Sequence, residues 1–496
     1  MKKARLIAGL FVTALLTLGL VLPAVAQVEP PTVMDELAPG GSMTMTKEVT
    51  TPPIPPNPDI YFMCDTTGSM GPIIAAMQTD AGAIMADIVT AQPTAQFGVG
   101  NYKDFPYDPY AFQHQQSITD DTAAVSTAIA AWGAGGGSDW PEGQFYALDR
   151  LAEGTGIGWR DIGTKIVVWF GDSPAHDPVP TAATGLGYTI TEATVTADLV
   201  AAGIKVIAIS WDSGPGSPYR DGLDDDPNVA GGDYAAFYGI VEDGSAGQAS
   251  RIAAATGGAY LFAATPAEAV AAVLEGIEQL TTDVWWEVEA DPGLTVELEP
   301  AVHYDVAGDT TVEFEETIAL DDDAPQCHTL NATVTFYANE YPEEGAVIGE
   351  QAISIHVADI TPPEVWCVES VNPHGKNIPP AGSTTLPGSK GGRNEDGFYQ
   401  LWAEDNCDED PLIFVGYWDL DTGIIWLEFG PFGSGVVVKF TEDADATPEC
   451  KKMGSSKGQA GAVAHHIILP GEPVVVAVDA AGNAAFFPCF VPPPPK

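Results

Sequence analysis

The sequence has few basic residues. Only 19 of its 496 residues are Lys or Arg, against 69 Asp or Glu, so the formal net charge is −50. A surface this negative repels phosphate backbones and anionic lipids, which argues against nucleic acid and membrane surfaces as partners. Hydrophobic residues make up 45% of the chain, enough for packed cores, so the acidity does not indicate disorder.

Long apolar runs are missing except at the N terminus. Basic residues at positions 2, 3 and 5 precede an apolar stretch from about Leu6 to Leu22, and Ala24-Val25-Ala26 forms a small-residue cleavage site. This order is typical of a secretory signal peptide, residues 1–26, with an uncleaved membrane anchor as the alternative. No later stretch reaches the roughly 18 apolar residues that a bilayer requires, so we expect an exported chain with no membrane span after cleavage.

Cysteine is scarce, with 6 residues in the chain. Cys64 lies in an apolar strand pattern and is interpreted as a buried small hydrophobic residue. Cys327 stands alone in its region, and the sequence offers no role for it. In an exported protein the other four indicate a local disulfide framework with three possible connectivities. These four are Cys367, Cys407, Cys450 and Cys489.

Signatures of common enzyme classes are missing too. The sequence contains no H-E-x-x-H, P-loop or dinucleotide-binding fingerprint. Residues 454–458 match G-x-S-x-G, with His465 and His466 nearby, but a nucleophile elbow needs a strand before it and a helix after it. The flanking Lys451-Lys452 and Gly/Ala-rich stretch supply neither. We interpret the match as a loop and expect no enzyme activity.

The order of sequence patterns divides the chain into segments. Residues 27–57 are rich in Pro, Thr and Gly and predict a stiff leader without a packed core. Across residues 58–282 strand patterns alternate with helical ones, which predicts an α/β domain whose parallel sheet is covered on both faces. Residues 283–360 and 361–491 show short strands separated by turns, typical of β-sandwiches, and residues 492–496 form a Pro-rich tail.

Side chains with oxygen donors follow the first strand of the α/β segment. The apolar run before Cys64 leads into Asp65-Thr66-Thr67-Gly68-Ser69, a D-x-[ST]-x-S sequence at the start of a helix. Ligands bind at the carboxyl ends of strands in open α/β sheets, and a carboxylate with two hydroxyls suits Mg²⁺ or another hard cation. By itself the pentapeptide fits equally well a polar loop that caps the next helix.

Two more acidic loops follow in the same segment. Asp139-Trp140-Pro141-Glu142 comes after a run of glycines, and the strand from Ile166 to Phe170 leads into Gly171-Asp172. The three loops, in this order, resemble the metal-ion-dependent adhesion site of von Willebrand factor A domains. The resemblance is closest to the integrin β-subunit I-like branch and related bacterial A domains. It covers about Asp59 to Thr282 and implies a Rossmann-like fold.

The resemblance implies a role for each residue of this site. Thr67 and Ser69 would bind Mg²⁺, Mn²⁺ or Ca²⁺ directly, Asp65 and Asp172 would orient metal-bound waters, and Glu142 would be the acidic ligand. One coordination position remains for an Asp or Glu side chain of a partner protein. We therefore expect metal-dependent adhesion or protein binding. The alternative is a structural surface-layer or matrix subunit with an architectural metal.

The same branch implies a second ion, Ca²⁺. Asp104 matches a carboxylate that integrin β subunits use together with the D-x-P-E loop. The family's Asn in this loop falls on Gly137, so one ligand is missing, and acidic residues that stabilise the loop are the alternative. The candidate ligands are Asp104, Asp139, the Pro141 carbonyl and Glu142.

The last segment resembles HYR-type immunoglobulin-like modules, which act as spacers. The insert from Asn372 to Gly392 is longer than that family's. The first and last strands of such a sandwich often lie close together, so the resemblance implies a Cys367–Cys489 bridge and leaves Cys407 to pair with Cys450. The matching pieces are Thr361-Pro362-Pro363 with Cys367, Asp405-Asn406-Cys407, and Asp479-Ala480-Ala481-Gly482-Asn483 with Cys489.

Overall fold

The computed structural model describes residues 27–137, 139–211, 221–228, 233–339, 341, 345–369, 398–419, 421–453 and 464–489. The signal peptide, the G-x-S-x-G match at 454–458, the insert from Asn372 to Gly392 and the Pro-rich tail lie outside these residues.

The described residues form strands and helices with the following bounds. The strands are β1 (Gln27–Glu29), β2 (Thr32–Leu37), β3 (Ser42–Thr50), β4 (Pro58–Asp65), β5 (Gln96–Tyr102), β6 (Phe112–Thr119), β7 (Thr164–Gly171), β8 (Ile204–Trp211), β9 (Ala259–Ala263), β10 (Thr281–Ala290), β11 (Leu294–Glu299), β12 (Val302–Ala307), β13 (Thr311–Leu320), β14 (Thr329–Asn339), β15 (Ala346–Val357), β16 (Glu364–Glu369), β17 (Phe398–Glu404), β18 (Leu412–Asp419), β19 (Ile424–Phe432), β20 (Val436–Glu442), β21 (Glu449–Met453), β22 (Ala464–Leu469), β23 (Glu472–Val478) and β24 (Ala484–Pro488). The helices are α1 (Gly71–Ala91), α2 (Thr122–Ala130), α3 (Gln144–Glu153), α4 (Thr181–Thr184), α5 (Glu192–Ala201), α6 (Tyr234–Tyr238), α7 (Gln248–Ala255) and α8 (Pro266–Glu278).

The α/β domain is built on a six-stranded sheet with the order β6-β5-β4-β7-β8-β9. Its strands are parallel except β6, which runs antiparallel to β5 at one edge. Helices α1, α2 and α8 cover one face, and α3, α5 and α7 cover the other. All residues of β4 are buried, which explains its continuous apolar run. The α/β class predicted from the sequence is confirmed.

One helical stretch, Gly68–Ala91, is long and apolar enough to cross a membrane by length and composition. It contains α1, whose buried residues include Ile73, Met77 and Ile84. These side chains pack into the hydrophobic core beside the central sheet. Core helices of soluble domains have this same apolar character.

The predicted leader at residues 27–57 is wrong for residues 27–50. β1 and β3 belong to a four-stranded sheet with the order β1-β3-β13-β11, and β2 is the edge strand of a five-stranded sheet with the order β12-β10-β14-β15-β2. The two sheets share one hydrophobic core. The physical reason is burial: Val49 of β3 is fully buried there, and a segment that buries apolar side chains is not a loose leader.

The chain therefore builds this sandwich from two separate segments. Residues 27–50 supply three strands, and residues 281–357 supply the remaining six. The α/β domain lies between them in sequence, as an insertion. Two chain crossings, one before β4 and one between α8 and β10, join the inserted domain to the sandwich.

The C-terminal module is a second pair of sheets. Their orders are β16-β17-β20-β22-β21 and β19-β18-β23-β24, and side chains of both form one core. Cys367 is bonded to Cys489, as expected. The expected bridge between Cys407 and Cys450 is wrong, because Cys407 is bonded to Cys327 and Cys450 is free. Cys327 lies in the sandwich, so this bridge links the two β-rich units.

Candidate metal centre

Two neighbouring strands deliver the first and third predicted loops to one edge of the sheet. Asp65 is the last residue of β4, and Asp172 directly follows β7. The two strands pair in parallel, with Cys64 opposite Phe170, so both loops leave the same carboxyl edge. β4 also pairs with β5 on its other side. This position between β5 and β7 is the place where ligands bind in doubly wound sheets.

The Asp65 carboxylate fixes the backbone of its own loop. Its Oδ1 accepts a 2.7 Å hydrogen bond from the Thr67 N–H, which turns the chain directly after the strand. Thr66 is held as well, because its N–H donates to the Tyr102 carbonyl of β5 over 3.0 Å. Thr67 then precedes a short 3₁₀ turn, Gly68–Met70, that leads into α1. Ser69 lies in this turn and is exposed.

Backbone hydrogen bonds hold Glu142 against the loop that contains Asp172. The Glu142 N–H donates to the Pro174 carbonyl over 2.9 Å, and the His176 N–H donates to the Glu142 carbonyl over 3.1 Å. The Gln144 side chain adds a 2.9 Å bond to the Ser173 carbonyl. The second and third predicted loops therefore form one unit, although 30 residues separate Glu142 from Asp172 in sequence.

A glycine-rich segment before Asp139 packs on the first loop. The Gly68 N–H donates to the Gly136 carbonyl, and the Gly135 N–H donates to the Thr66 carbonyl, at 3.2 and 3.1 Å. Gly137 has φ +80°, and a Cβ there would lie 3.0 Å from Glu142 Oε1 and 3.1 Å from Thr67 Cβ. Only a residue without a side chain leaves open the space between Thr67 and Glu142.

Burial and mutual repulsion disfavour the charged carboxylates. Burial, followed by the charge of Asp172, raises the pKa of Asp65 well above its usual value. Burial, followed by the charges of Asp65 and Asp104, does the same to the pKa of Glu142. The pKa of Asp172 rises to about 6, chiefly through burial. Burial and repulsion between like charges therefore both disfavour three ionised carboxylates at Asp65, Glu142 and Asp172.

The donor set fits a divalent cation. Asp65 Oδ2, Thr67 Oγ1, Glu142 Oε2 and both Asp172 carboxylate oxygens are buried without a hydrogen-bond partner among the described residues. A buried polar atom without a partner costs about 1–3 kcal/mol, and more when it is charged. Oxygen atoms of carboxylates and hydroxyls are the ligands of Mg²⁺ and Ca²⁺. A cation beside these atoms would satisfy them together and offset the repulsion.

The candidates for the second ion surround a histidine. Asp104, Asp139 and His176 each place one ligand atom within 4.8 Å of the others. His176 Nε2 lies 2.9 Å from Asp104 Oδ1, and Nδ1 lies 2.6 Å from Glu242 Oε1. Burial alone would lower the pKa of His176, but these carboxylates raise it to about 9. The His176 ring also stacks on Tyr234, with 3.6 Å between ring centres.

The imidazole therefore lies beside Asp104 and Asp139, two of the carboxylates that the resemblance assigns to Ca²⁺. Glu142 and Pro141 stay candidate ligands by resemblance, but the cluster that the structure forms contains His176 in their place. The contacts of His176 hold its own loop against Asp104 and Glu242. Sequence patterns did not reveal Glu242 and Tyr234, because neither belongs to a motif and both are distant from His176 in sequence.

Lys103 is another residue that the sequence did not reveal. It is 7% exposed, and its Nζ donates to the carbonyls of Thr66 and Gly135. It therefore joins the first loop to the glycine-rich segment. Its position directly after β5 and before Asp104 was the available signal, since a Lys at a strand end beside acidic loops seldom lacks a partner.

Comparisons with known proteins find similarity in part of the chain. No model of a known protein family matches it. The alpha-protein kinase vwkA of Dictyostelium discoideum is 29% identical over 123 residues, which are 24% of this chain and 19% of that protein. Integrin beta pat-3 of Caenorhabditis elegans is 27% identical over 140 residues, 24% of this chain and 17% of that protein. The chain thus spans about a fifth of the length of these two relatives.

Solved structures similar to the chain include a von Willebrand factor type A protein from Catenulispora acidiphila. The match covers 68% of this chain and 74% of that one, with 13% sequence identity and a TM-score of 0.31. The partial integrin match agrees with the resemblance drawn from the three loops.

Proposed function

We propose that the protein is an exported adhesion or protein-binding protein whose α/β domain binds a partner through a divalent cation. One observation carries the proposal: buried oxygens without partners on Asp65, Thr67, Glu142 and Asp172, at the carboxyl edge of the sheet. With the exposed Ser69 they would hold Mg²⁺, Mn²⁺ or Ca²⁺. The ion would supply the positive charge that a partner's Asp or Glu carboxylate needs for contact.

The charge of the chain supports this mode of binding. With a net charge of −50, the protein repels other acidic surfaces unless a cation lies between them. Ser69 is exposed while Thr67 is buried, so the group is open on one side and closed on the other. The two disulfides fit a protein that works outside the cytoplasm. In this proposal the protein is a binding protein and not an enzyme.

The first test is the effect of metal on stability. A cation that binds only the folded domain stabilises it by RT ln(1 + [L]/Kd), about 2.7 kcal/mol at 100 times Kd. We expect Mg²⁺ or Ca²⁺ to raise the midpoint of thermal unfolding, and Asp65→Ala to remove most of that rise while leaving the fold intact by circular dichroism. Asp87→Ala, on the exposed face of α1, is the matched control and should respond like the wild type. An unchanged midpoint of the wild-type protein with either metal would contradict the proposal.

The second test is recovery of partners. The mature protein, with Mg²⁺ and then with EDTA, is used to capture proteins from its own cell envelope. An adhesion or binding protein should hold partners that chelation and Asp65→Ala both release. Self-association that EDTA leaves unchanged would instead support the alternative, a structural surface-layer or matrix subunit.

A further inference from the structure

The joint between the sandwich and the C-terminal module contains another group of carboxylates. Asp359 lies just after β15 of the sandwich, Asp405 directly follows β17, and Asp479 directly follows β23 of the module. One carboxylate oxygen of each lies within 4.8 Å of the others. We propose that these three aspartates bind a Ca²⁺ ion that fixes the module to the sandwich. This site is separate from the candidate metal centre and independent of the proposed function.

The hydrogen bonds of the three side chains leave oxygens free for an ion. Asp405 Oδ1 accepts from the Cys407 and Asp408 N–H groups, each at 2.8 Å, and Asp479 Oδ1 accepts from the Asn483 N–H at 2.8 Å. Asp359 Oδ1 accepts from the Thr361 N–H at 3.1 Å. Each carboxylate is therefore oriented by its own turn, with one oxygen committed to the backbone.

The Oδ2 atoms of Asp479 and Asp405 indicate that a ligand binds here. Asp479 is only 6% exposed, and its Oδ2 is buried without a hydrogen-bond partner among the described residues. Asp405 Oδ2 is buried and without a partner in the same way. A folded chain rarely leaves two such atoms in one cluster of carboxylates, because each costs about 1–3 kcal/mol. A cation between them accounts for both.

The donor chemistry selects Ca²⁺ over softer metals. The three side chains offer carboxylate oxygens only, which suit hard cations. The sulfur atoms of Cys327 and Cys407 lie within 4.8 Å of an Asp359 carboxylate oxygen, but they are joined in a disulfide and offer no thiolate. Ca²⁺ accepts 6–8 oxygen ligands in variable geometry, and extracellular modules bind it with Kd values of roughly 10⁻⁴–10⁻³ M.

Two other links join the sandwich to the module at the same place as the proposed ion. The Cys327–Cys407 disulfide crosses from the sandwich to the module, and the Asn483 side chain donates to the Asp359 carbonyl over 3.0 Å. Without a cation, the repelling carboxylates push apart the same two units that these bonds join. With Ca²⁺ bound, disulfide, amide and ion together hold the module at one orientation.

The test measures Ca²⁺ binding to the full mature chain that carries Asp65→Ala, so that the site at Asp65 does not contribute. Equilibrium dialysis with radioactive Ca²⁺, from about 0.1 to 10 mM to span the affinities of extracellular modules, gives the number of ions bound. Adding Asp479→Asn should remove one ion and the Ca²⁺-dependent rise in the unfolding midpoint of the module. Glu409→Gln removes one charge from an exposed residue near Asp405 and should bind as many ions as its parent.

Asp405→Asn serves as the second variant, and both Asn variants keep an oxygen for the backbone N–H donors. Their unfolding in EDTA should match or exceed that of the parent, because each removes a repelling charge. Equal Ca²⁺ binding by the Asp479→Asn, Asp405→Asn and parent chains would overturn the proposal. So would no saturable Ca²⁺ binding in the Asp65→Ala background, whatever the outcome at the candidate metal centre.

Discussion

Lys47 is a charged residue at a position of β3 that faces the interior of the sandwich. It is fully buried in the sandwich, as are Glu316 and Gln351. Burial lowers the pKa of Lys47 to about 8, although the charges of Glu316 and Glu29 act in the opposite direction. Its Nζ donates to the Pro30 carbonyl, in the turn between β1 and β2, so this ammonium ties the two N-terminal strands to the rest of the sandwich.

Lys47→Met should destabilise the sandwich by about 3 kcal/mol, because it removes the positive charge that acts on the buried Glu316 carboxylate. The double variant Lys47→Met with Glu316→Gln removes the remaining charge and keeps an acceptor for the 3.1 Å bond from Gln351. It should recover more than half of the loss in urea unfolding. Equal stability of the single and double variants would show that the two charges are not coupled.

A substitution of Gly137 can test how closely the glycine-rich segment approaches the candidate metal centre. Gly137→Ala places a Cβ 3.0 Å from Glu142 Oε1 at φ +80°, so the carboxylate has to move. We expect the variant to bind Mg²⁺ at least about tenfold more weakly, a loss of about 1.4 kcal/mol. Gly133→Ala is the matched control in the same segment, because a Cβ there meets no atom within 4 Å. Calorimetric titration of both variants checks this, and equal affinities would contradict it.

At the scale of elements, the sequence predicted best the strands that are buried on both faces. β4 and β7 read as unbroken apolar runs, and the loops that follow them carry the site residues. β6 escaped prediction because it is a Gln-rich edge strand with mostly half-buried side chains. β3 escaped because Pro, Thr and Gly dominate its neighbourhood, although Met43, Met45, Lys47 and Val49 alternate with polar residues in the strand period.

Val49 and Thr46 provide a direct test of β3. Val49 is fully buried and paired with Val312, whereas Thr46 lies on the exposed face of the same strand. Val49→Asp should destabilise the sandwich by more than about 3 kcal/mol, because it buries a charge without a partner. Thr46→Asp should change stability by about 0.5 kcal/mol or less, as is usual for surface sites. If Val49→Asp and Thr46→Asp changed the free energy of unfolding in urea equally little, residues 27–50 would be an unpacked leader and not part of the sandwich.

At the scale of the whole molecule, the chain connects three packed units by few covalent links. The α/β domain is inserted in the sandwich. Residues 358–363 connect the sandwich to the C-terminal module. The sequence could not show that Cys327 belongs to this last connection, because spacing along the chain does not report which residues meet in space. The alternatives left open for the cysteines were confined to the last four, and the structure pairs one of these with Cys327.

The pairing of the cysteines is open to direct measurement. Loops of 80 and 122 residues are closed by Cys327–Cys407 and Cys367–Cys489. In the chain-entropy model each such bridge contributes about 4 to 5 kcal/mol to the free energy of unfolding, although the two loops overlap and the values do not add. Peptide mapping without reduction should recover these two linked peptides, and thiol alkylation in denaturant should label Cys64 and Cys450. Without denaturant Cys64 should stay unlabelled, since it is fully buried.

Two variants distinguish the Cys327–Cys407 bridge from a Cys407–Cys450 bridge. Cys450→Ser should leave both linked peptides and the unfolding midpoint unchanged, since Cys450 is free. Cys407→Ser should release Cys327 as a second reactive thiol and lower the midpoint of the unit that the bridge joins, while the Cys367–Cys489 peptide persists. A linked peptide that contains Cys407 and Cys450 would contradict the structure. It would also remove the covalent link at the joint, because Cys327 would then have no partner in the module.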